Sequence, residues 1–346
     1  MRTNTEPADV LDEERPLEPH RPIVDAHHHL WDYPEKFWDY SAECKPPPRF
    51  LLPELQQTIA RSGHNVRQTV FVECHAMYRA EGLEEMRPVG ETEFVNGIAA
   101  MSASGGYGPC RVAAIVGCAD LRQGERAKAV LEAHIAAGNG RFRGIRMWTA
   151  YVDADLLGRP PDLAVKGLMR DSGFRRGVSL LAPLGLSLDV WCVHTQIPEL
   201  SELATAFPDT TIILDHIGSP LSIGPYANRE AEVFEEWKTA VIDLARRPNA
   251  MVKLGGLGVD LAVPVGTHHG NASSATLARK WRPYIETCVD AFGPKRCMFE
   301  SNFPPDNATC TYGALWNALK LIVAEYSEGE KTALFSGTAR TVYRLQ

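Results

Sequence analysis

The segment IVDAHHHLWD, close to the start of the chain, carries three consecutive histidines behind an apolar, β-branched run. Because side chains alternate along a strand, Asp25, His27 and His29 are expected to share one face, with the middle histidine on the other. Two later apolar segments, VWCVH and ILDH, also end in a histidine, at His194 and His216. Imidazole is the commonest zinc ligand and the usual general base near neutral pH. The histidines therefore predict a metal site or an acid–base centre, provided that the fold gathers them.

From residue 21 onward, short apolar runs alternate with longer segments of helical periodicity, the pattern of repeated βα units. Eight such runs are present: PIVDAH, QTVFVECHA, RVAAIVGCAD, FRGIRMWT, LSLDVWCVH, TTIILDHIG, AMVKLGG and RCMFESNFP. They predict an α/β fold, a (β/α)8 TIM barrel in a single domain over residues 21–346, although an open doubly wound sheet has the same local pattern. A single strand-terminal histidine is more often a satisfied core or surface residue, but a barrel brings its strand ends into one pocket.

Charge and composition indicate the class of protein. The net charge is −7 and the basic residues are scattered, which disfavours nucleic acid and acidic membranes and leaves a small molecule as the expected partner. The N-terminus lacks the apolar core of a signal peptide, no apolar stretch reaches membrane-spanning length, and the eight cysteines form no C-x-x-C pair. A cytoplasmic enzyme is expected, with homo-oligomerisation left open. Residues 1–20, acidic and poor in aromatics, are predicted to be a mobile N-terminal arm.

Two carboxylates lie in predicted strands. Glu73, in FVECHA, is a candidate catalytic residue, because a carboxylate in so apolar a strand must find a cation, a metal or a proton. Glu300, in FESNFP, is interpreted first as the partner of a buried barrel cation such as Lys253, with catalysis as the alternative.

Candidate substrate-binding residues lie in or just after the predicted fourth strand and just after the first. Arg146, in FRGIRMW, suits a substrate carboxylate through a bidentate pair, and a structural salt bridge is the equally weighted alternative. Trp31 and Tyr151, together with Tyr40 and Trp148, are expected to cover the site or to stack on a planar ring, although barrel aromatics are often core residues.

Taken together, these motifs resemble the amidohydrolase superfamily. H-x-H ends the first strand, a histidine ends the fifth, DHIG ends the sixth, and F-x-S-x-F-P follows the eighth. The similarity spans about residues 21–346 and is strongest to the amidohydrolase-related (amidohydrolase 2) family, which includes sugar-acid lactonases, 2-pyrone-4,6-dicarboxylate lactonase and some aromatic decarboxylases. The resemblance implies a (β/α)8 barrel, metal ligands at His27, His29 and His194, and a general acid or base at His216.

The chain departs from that family at one catalytic position. Many relatives end the eighth strand in G-S-D-[WF]-P, whereas this chain has ESNFPPD, with Asn302 where the aspartate stands. Asparagine cannot take a proton from water. A divalent metal, with zinc expected, and metal-independent catalysis by a direct base therefore both stay open.

The function expected from the sequence is hydrolysis of a small, anionic lactone by activated water. Arg146 orients the substrate and His216 carries a proton to the leaving alkoxide. Two alternatives remain: non-oxidative decarboxylation of an aromatic or unsaturated acid, and a barrel that has lost catalysis and only binds a ligand, to which Asn302 gives support.

Overall fold

Eight parallel β-strands form the centre of the protein in the computed structural model, which describes residues 14–32, 47–152, 165–259, 261–265 and 272–346. Each strand pairs with the next along the chain, and helices surround the nearly closed sheet. The strands are β1 (Ile23–His28), β2 (Val66–Val72), β3 (Arg111–Gly117), β4 (Phe142–Trp148), β5 (Ser187–Trp191), β6 (Ile212–Leu214), β7 (Ala250–Leu254) and β8 (Cys297–Phe299). The predicted (β/α)8 barrel is confirmed. The doubly wound alternative is wrong, because a doubly wound sheet reverses its strand order, whereas these strands follow one another in chain order.

The barrel closes where β1 meets the segment that follows β8. The backbone N–H of Asn302 donates to the carbonyl oxygen of His27 at 2.9 Å, and that of His29 donates to the carbonyl oxygen of Phe303 at 2.8 Å. A parallel bridge joins His28 to Phe303. This closing seam therefore contains three of the predicted site residues, His27, His29 and Asn302.

Helices connect the strands and cover the outside of the barrel. They are α1 (Leu52–Ser62), α2 (Val89–Ala103), α3 (Ala127–Ala137), α4 (Ser172–Val178), α5 (Ile197–Ala206), α6 (Glu230–Ala245), α7 (Ser274–Phe292), α8 (Tyr312–Ile322), α9 (Glu328–Thr332) and α10 (Thr338–Val342). A proline lies in the first turn of α5, and Gly293 follows the last residue of α7. Within the described part of the chain, no helix combines the length and the apolar character needed to cross a membrane.

The N-terminal segment, where it is described, lies against the barrel helices. Leu17 donates its backbone N–H to Asn317 Oδ1 at 2.7 Å, and Lys320 Nζ donates to the carbonyl oxygen of Leu17 at 2.7 Å. The predicted arm, residues 1–20, is described only from residue 14, so the mobility of the arm stays a prediction.

The side chains that point into the barrel form two layers. The lower layer, towards the N-terminal ends of the strands, is apolar and packs on Tyr343; it contains Val24, Ala26, Val70, Val72, Ala114, Val116, Ile213 and Met298. Because side chains alternate, Asp215 and Glu300, two positions beyond Ile213 and Met298, continue the same inner face. The upper layer is therefore charged, and it lies at the end where barrel enzymes hold their chemistry.

An irregular register in β1 changes which of its residues share a face. The pairing of β1 with β2 shifts between the third and last residues of β1. The Asp25 carboxylate accepts hydrogen bonds from Ser301, at 2.8 Å from its N–H, and from the Tyr312 hydroxyl at 2.9 Å. Simple alternation, which grouped Asp25 with His27 and His29, therefore does not hold across the irregularity.

The packing of the helices on the barrel can be tested at His134, a buried histidine outside the barrel. His134 of α3 accepts from the Thr92 hydroxyl at 2.8 Å and donates to the carbonyl oxygen of Cys118 at 2.9 Å. Burial lowers the pKa of His134 to about 4. The unfolded chain therefore takes up this proton first, and the stability that the neutral ring contributes is lost as pH falls from about 6.5 towards 4.

Wild type and His134→Gln differ in their free energy of unfolding, and we expect this difference to narrow by about 2 kcal/mol from pH 7 to pH 5. Only the wild type binds a proton at residue 134 when it unfolds. Urea unfolding at both pH values measures it. A gap that stays constant between the two pH values contradicts the burial of a neutral ring at this position.

Candidate active site

His27 and His29 approach each other at the closing seam. Both are buried, and their Nε2 atoms lie 3.3 Å apart. His29 donates from Nδ1 to the carbonyl oxygen of Val72 at 2.8 Å, which leaves a lone pair on Nε2. Burial, reinforced by nearby positive charges, lowers the pKa of both rings well below the ordinary histidine value. Two neutral imidazoles with converging nitrogens form an arrangement that can bind a transition-metal ion.

The Asn302 side chain extends this pair. Its Oδ1 lies 3.3 Å from His29 Nε2, and its Nδ2 donates to Asp306 Oδ1 at 2.7 Å. Asp306 also accepts from the backbone N–H of Gly258 at 2.9 Å. Burial raises the pKa of Asp306 to about 7. Asp306 is thus a buried group that orients the Asn302 amide.

His216 and Glu300 form a second contact pair beside the first. His216 Nδ1 lies 2.7 Å from Glu300 Oε1, and the His216 backbone N–H donates to the same oxygen at 3.2 Å. The His216 ring centroid is 4.6 Å from that of His27. Burial lowers the pKa of His216, but the charge and hydrogen bond of Glu300, with the charge of Asp215, outweigh burial and raise it. An imidazole held at Nδ1 by a buried carboxylate can exchange a proton at Nε2.

The backbone around this pair is strained and tightly packed. His216 has a φ of 53°, in the left-handed region that side chains other than glycine rarely adopt. Two glycines follow β7. A Cβ on Gly256 would lie 2.1 Å from His216 Nδ1, and one on Gly255 would lie 2.5 Å from Glu300 Cγ. The absence of side chains at these two positions therefore makes room for the His216–Glu300 pair.

Lys253 of β7 lies at the centre of the charged layer. Its Nζ donates to Asp189 Oδ2 at 2.7 Å, and it lies 3.0 Å from Asp215 Oδ1 and 3.2 Å from His27 Nδ1. Burial lowers the pKa of Lys253, but the charges of Asp189, Asp215 and Glu300 raise it further than burial lowers it. One ammonium thus lies among three buried carboxylates. This excess of negative charge favours an additional cation or a protonated imidazole.

Glu73 and Arg146 pair with each other. Arg146 donates from Nε to Glu73 Oε1 at 2.7 Å, and from Nη2 to the carbonyl oxygen of Glu73. Arg146 is only 3% exposed. Burial lowers its pKa, but the charges of Glu73 and Asp215 raise it, so the guanidinium stays charged. Glu73 thus has the cationic partner that a carboxylate in an apolar strand requires. Arg146 forms the structural salt bridge that was the alternative to a contact with substrate.

His194 does not join the other histidines. Its Nδ1 accepts from the backbone N–H of Leu221 at 3.3 Å, and its Nε2 lies 3.9 Å from Glu236 Oε2 on α6. Its ring contacts Tyr226, with centroids 4.9 Å apart. Among the described residues, one group whose ligand atoms all lie within 4.8 Å of one another consists of His27, His216 and Glu300, and such groups include neither His194 nor His29. The fold therefore gathers His27, His29 and His216, and leaves His194 at the rim.

The two aromatic candidates occupy different places. Trp31 is buried and stacks on His29, with ring centroids 6.0 Å apart, and its Nε1 donates to the carbonyl oxygen of Pro47 at 2.8 Å. Tyr151 is half-buried in a rim pocket that also includes Lys166 and Tyr226. Tyr40, a further predicted covering residue, lies outside the described residues.

Asp189, Asp215 and Lys253 were not among the predicted site residues, and Glu300 was predicted first to be the structural partner of a cation. The signal was present, since LSLDVWC, ILDH and MVKLGG each place one charge inside an apolar strand. Charged residues are rarely buried unless they are paired. The pattern shows that partners must exist, but only the barrel shows which charges meet.

The room that Gly256 leaves for His216 can be tested with a matched pair of variants. Gly256 has a φ of 64° and Gly185 a φ of 68°, but a Cβ on Gly185 has no heavy atom within 4 Å. Alanine at either position costs about 1–2 kcal/mol of backbone strain. We expect Gly256→Ala to lose about 2 kcal/mol more in urea unfolding than Gly185→Ala, because its Cβ must also displace a buried ring. Equal losses contradict the close packing.

Comparison with known proteins places the chain among relatives. The amidohydrolase family model matches residues 24–345. The uncharacterised protein y4mH of Sinorhizobium fredii is 32% identical over 332 residues, covering 93% of this chain and 98% of that protein. The L-fucono-1,5-lactonase of Burkholderia multivorans is 28% identical over 240 residues, covering 68% of this chain and 72% of that enzyme.

Solved structures agree on the fold. A crystal structure of an amidohydrolase from Burkholderia multivorans with bound HEPES has a TM-score of 0.68 at 24% identity, and covers 94% of this chain and 99% of that one. A putative 2-pyrone-4,6-dicarboxylic acid hydrolase from Pseudomonas putida has a TM-score of 0.59 at 15% identity, with coverage of 94% and 98%. The resemblance noted in the sequence is confirmed: the chain belongs to the amidohydrolase family and is an amidohydrolase-type hydrolase.

Proposed function

We propose that the protein hydrolyses a small lactone by adding activated water to the ring ester. The observation that carries the proposal is the His216–Glu300 pair, whose imidazole lies beside the converging Nε2 atoms of His27 and His29. Opening a lactone requires a group that takes a proton from water and returns one to the leaving alkoxide, together with a group that polarises the carbonyl. The His216–Glu300 pair supplies the proton carrier, and the Nε2 atoms of His27 and His29 mark the position where the carbonyl is polarised.

The named relatives support a sugar-acid lactone as the substrate class. Two Burkholderia relatives, 28% and 25% identical to this chain, are L-fucono-1,5-lactonases. The more specific expectation of an anionic lactone depends on Arg146, whose guanidinium is already bonded to Glu73. A substrate carboxylate has to replace that contact, whereas an uncharged sugar lactone does not. We therefore choose uncharged sugar lactones as the first substrates.

A divalent metal ion fits the side chains of His27, His29 and Asn302. Two ligands about 2.1 Å from a tetrahedral ion lie about 3.4 Å apart. The spacing of the two Nε2 atoms and that between His29 Nε2 and Asn302 Oδ1 are both 3.3 Å. Zinc is the ion we propose, because imidazole nitrogen suits it, and when bound it polarises the carbonyl oxygen and makes water more acidic. His194 is not part of this ligand set.

A buried oxygen without a partner supports this ligand set. Glu300 Oε2 has no hydrogen-bond partner among the described residues and lies 3.1 Å from His27 Nδ1. With its proton on Nδ1, His27 satisfies Glu300 and offers Nε2 as a metal ligand. With Lys253 donating to Nδ1, the proton is instead on Nε2, which then acts as a hydrogen-bond donor without metal. The excess of buried carboxylates favours the first tautomer.

His216 is the proton carrier in this proposal. Asn302 has no proton-accepting group at the position where relatives have aspartate, and Glu73 is bonded to Arg146. With Nδ1 held by Glu300, His216 takes a proton from the attacking water at Nε2 and passes it to the alkoxide as the ring opens.

The first test uses wild type and His216→Asn with L-fucono-1,5-lactone in oxygen-18 water. Asparagine tolerates the positive φ of residue 216 and removes the proton carrier. We expect wild type to incorporate one solvent oxygen into the ring-opened acid, and kcat/KM of the variant to fall by about 100-fold or more. His20→Asn, at an exposed histidine, is the matched control.

Three outcomes would overturn the proposal. Release of carbon dioxide from aromatic or unsaturated acids, with no lactone opening, identifies a decarboxylase. Binding without turnover across lactones, amides and acids identifies a ligand-binding barrel. Full activity in His216→Asn removes His216 as the proton carrier.

The role of Glu300 is tested by the pH profile of kcat/KM. The His216 imidazole must be neutral to act as a base, so activity is lost as pH falls through its pKa. The charge of Glu300 raises that pKa. Glu300→Gln removes the charge, so we expect the acidic limb to move to lower pH by about one unit or more. Glu236→Gln, at an exposed carboxylate, should leave the limb in place. An unmoved limb in Glu300→Gln shows that Glu300 does not set the pKa of His216.

A further inference from the structure

A second group of ligand-type side chains lies at the ends of β2 and β3. Glu73 and His75 follow β2, and Cys118 follows β3. One oxygen, one nitrogen and the sulfur of these residues all lie within 4.8 Å of one another. None of the three belongs to the ligand set proposed above.

The spacing within the group suits one metal ion. Glu73 Oε2 and His75 Nε2 are 3.2 Å apart. Ligand atoms about 2.1 Å from a tetrahedral ion are separated by about 3.4 Å, so a small shift of either side chain completes the geometry. Sulfur binds zinc at about 2.3 Å and therefore stands slightly further from both.

The ligand atom of Glu73 is buried and lacks a hydrogen-bond partner. Glu73 is fully buried, and its Oε2 accepts no hydrogen bond within the described ranges. Its other oxygen, Oε1, is held by Arg146 Nε at 2.7 Å, which fixes the direction in which Oε2 points. An outer hydrogen bond to a ligating carboxylate is a regular feature of metal sites. An unsatisfied buried carboxylate oxygen aimed at an imidazole and a thiol calls for a cation or a proton.

His75 is held in place by unusual backbone geometry. Its φ is 62°, in the left-handed region, and its ring stacks on Trp148 with centroids 4.7 Å apart. Strained residues of this kind concentrate at functional sites. The His75 side chain is 21% exposed, so an ion can reach the group from solvent without opening the barrel.

We propose that Glu73, His75 and Cys118 form a binding site for a zinc-like divalent ion, distinct from the His27–His29 pair. Thiolate, imidazole and carboxylate are the three ligand types that zinc accepts, while sulfur disfavours magnesium and calcium. The Cys118 proton leaves to solvent as the metal–sulfur bond forms, and the two negative ligands neutralise the ion. Three protein ligands leave a fourth position for water.

Cobalt(II) provides a test that does not depend on activity. Cobalt occupies zinc-type sites, and a thiolate ligand gives it a strong charge-transfer absorption in the near ultraviolet. The His27–His29 pair and Asn302 offer only nitrogen and oxygen, so they cannot produce this band. Adding cobalt(II) chloride to the full-length protein after chelator treatment therefore reports on the thiol site alone, and failure of the proposed lactonase activity leaves the result unaffected.

We expect a charge-transfer band that saturates at about one equivalent of cobalt and disappears when zinc is added, with the stoichiometry set by one thiol per site. The band should be absent in Cys118→Ser and weakened at least tenfold in apparent affinity in His75→Asn, which keeps the left-handed backbone but removes the imidazole. Cys288→Ser, on the outer helix α7, is the cysteine control and should retain the band. His27→Ala, which removes a nitrogen ligand of the other proposed site, should also retain it.

Three results overturn the proposal: no charge-transfer band in wild type, a band that persists in Cys118→Ser, or unchanged affinity in His75→Asn. Circular dichroism of each variant shows whether it is folded. Because His75 is partly exposed and asparagine suits its backbone, this variant keeps the test informative even if Cys118→Ser is unstable.

Discussion

Lys253 carries its positive charge in the middle of the barrel, where its side chain is fully buried. An ammonium taken out of water loses several kcal/mol of hydration free energy, which only close, well-placed anions restore. Its anions, Asp189 and Asp215, come from β5 and β6, while the lysine itself is on β7. Three adjacent strands must therefore keep their register for the charge to be tolerated. The apolar layer beneath, packed on Tyr343, keeps water away from this ion cluster.

The same charges give two neighbouring histidines, His27 and His216, opposite pKa shifts. Burial and the Lys253 ammonium lower the pKa of His27, whereas the carboxylates of Glu300 and Asp215 raise the pKa of His216 despite its burial. Their rings are 4.6 Å apart, so the charges around two adjacent buried histidines shift their pKa values in opposite directions. Opposed pKa shifts in adjacent groups separate a ligand or donor from a proton carrier. The fold produces this difference by strand position, without a change of residue type.

Local properties of the sequence were enough to predict the barrel and to place most of the histidines at strand ends, because an apolar run and its end can be recognised within a few residues. The sequence could not reveal the irregular register of β1, which removes Asp25 from the face of its neighbours. His194 was placed at a strand end, but β5 ends at Trp191, and a short helical turn carries His194 to the rim. The pairing of Glu73 with Arg146, and of Asn302 with Asp306, depends on which loops meet in space, and periodicity contains no information about that.

The hydroxyl of Tyr343 donates to Asp189 at 2.7 Å, and this contact links the site to the order in which the chain is made. Tyr343 is synthesised after all eight strands, yet it covers the apolar end of the barrel and completes the environment of the Lys253 cluster. A nascent chain that still lacks this residue holds Asp189 without one of its donors and leaves the lower layer open to water. The charged centre is therefore completed only after residues beyond all eight strands have been made, and until then the barrel exposes apolar surface that favours aggregation.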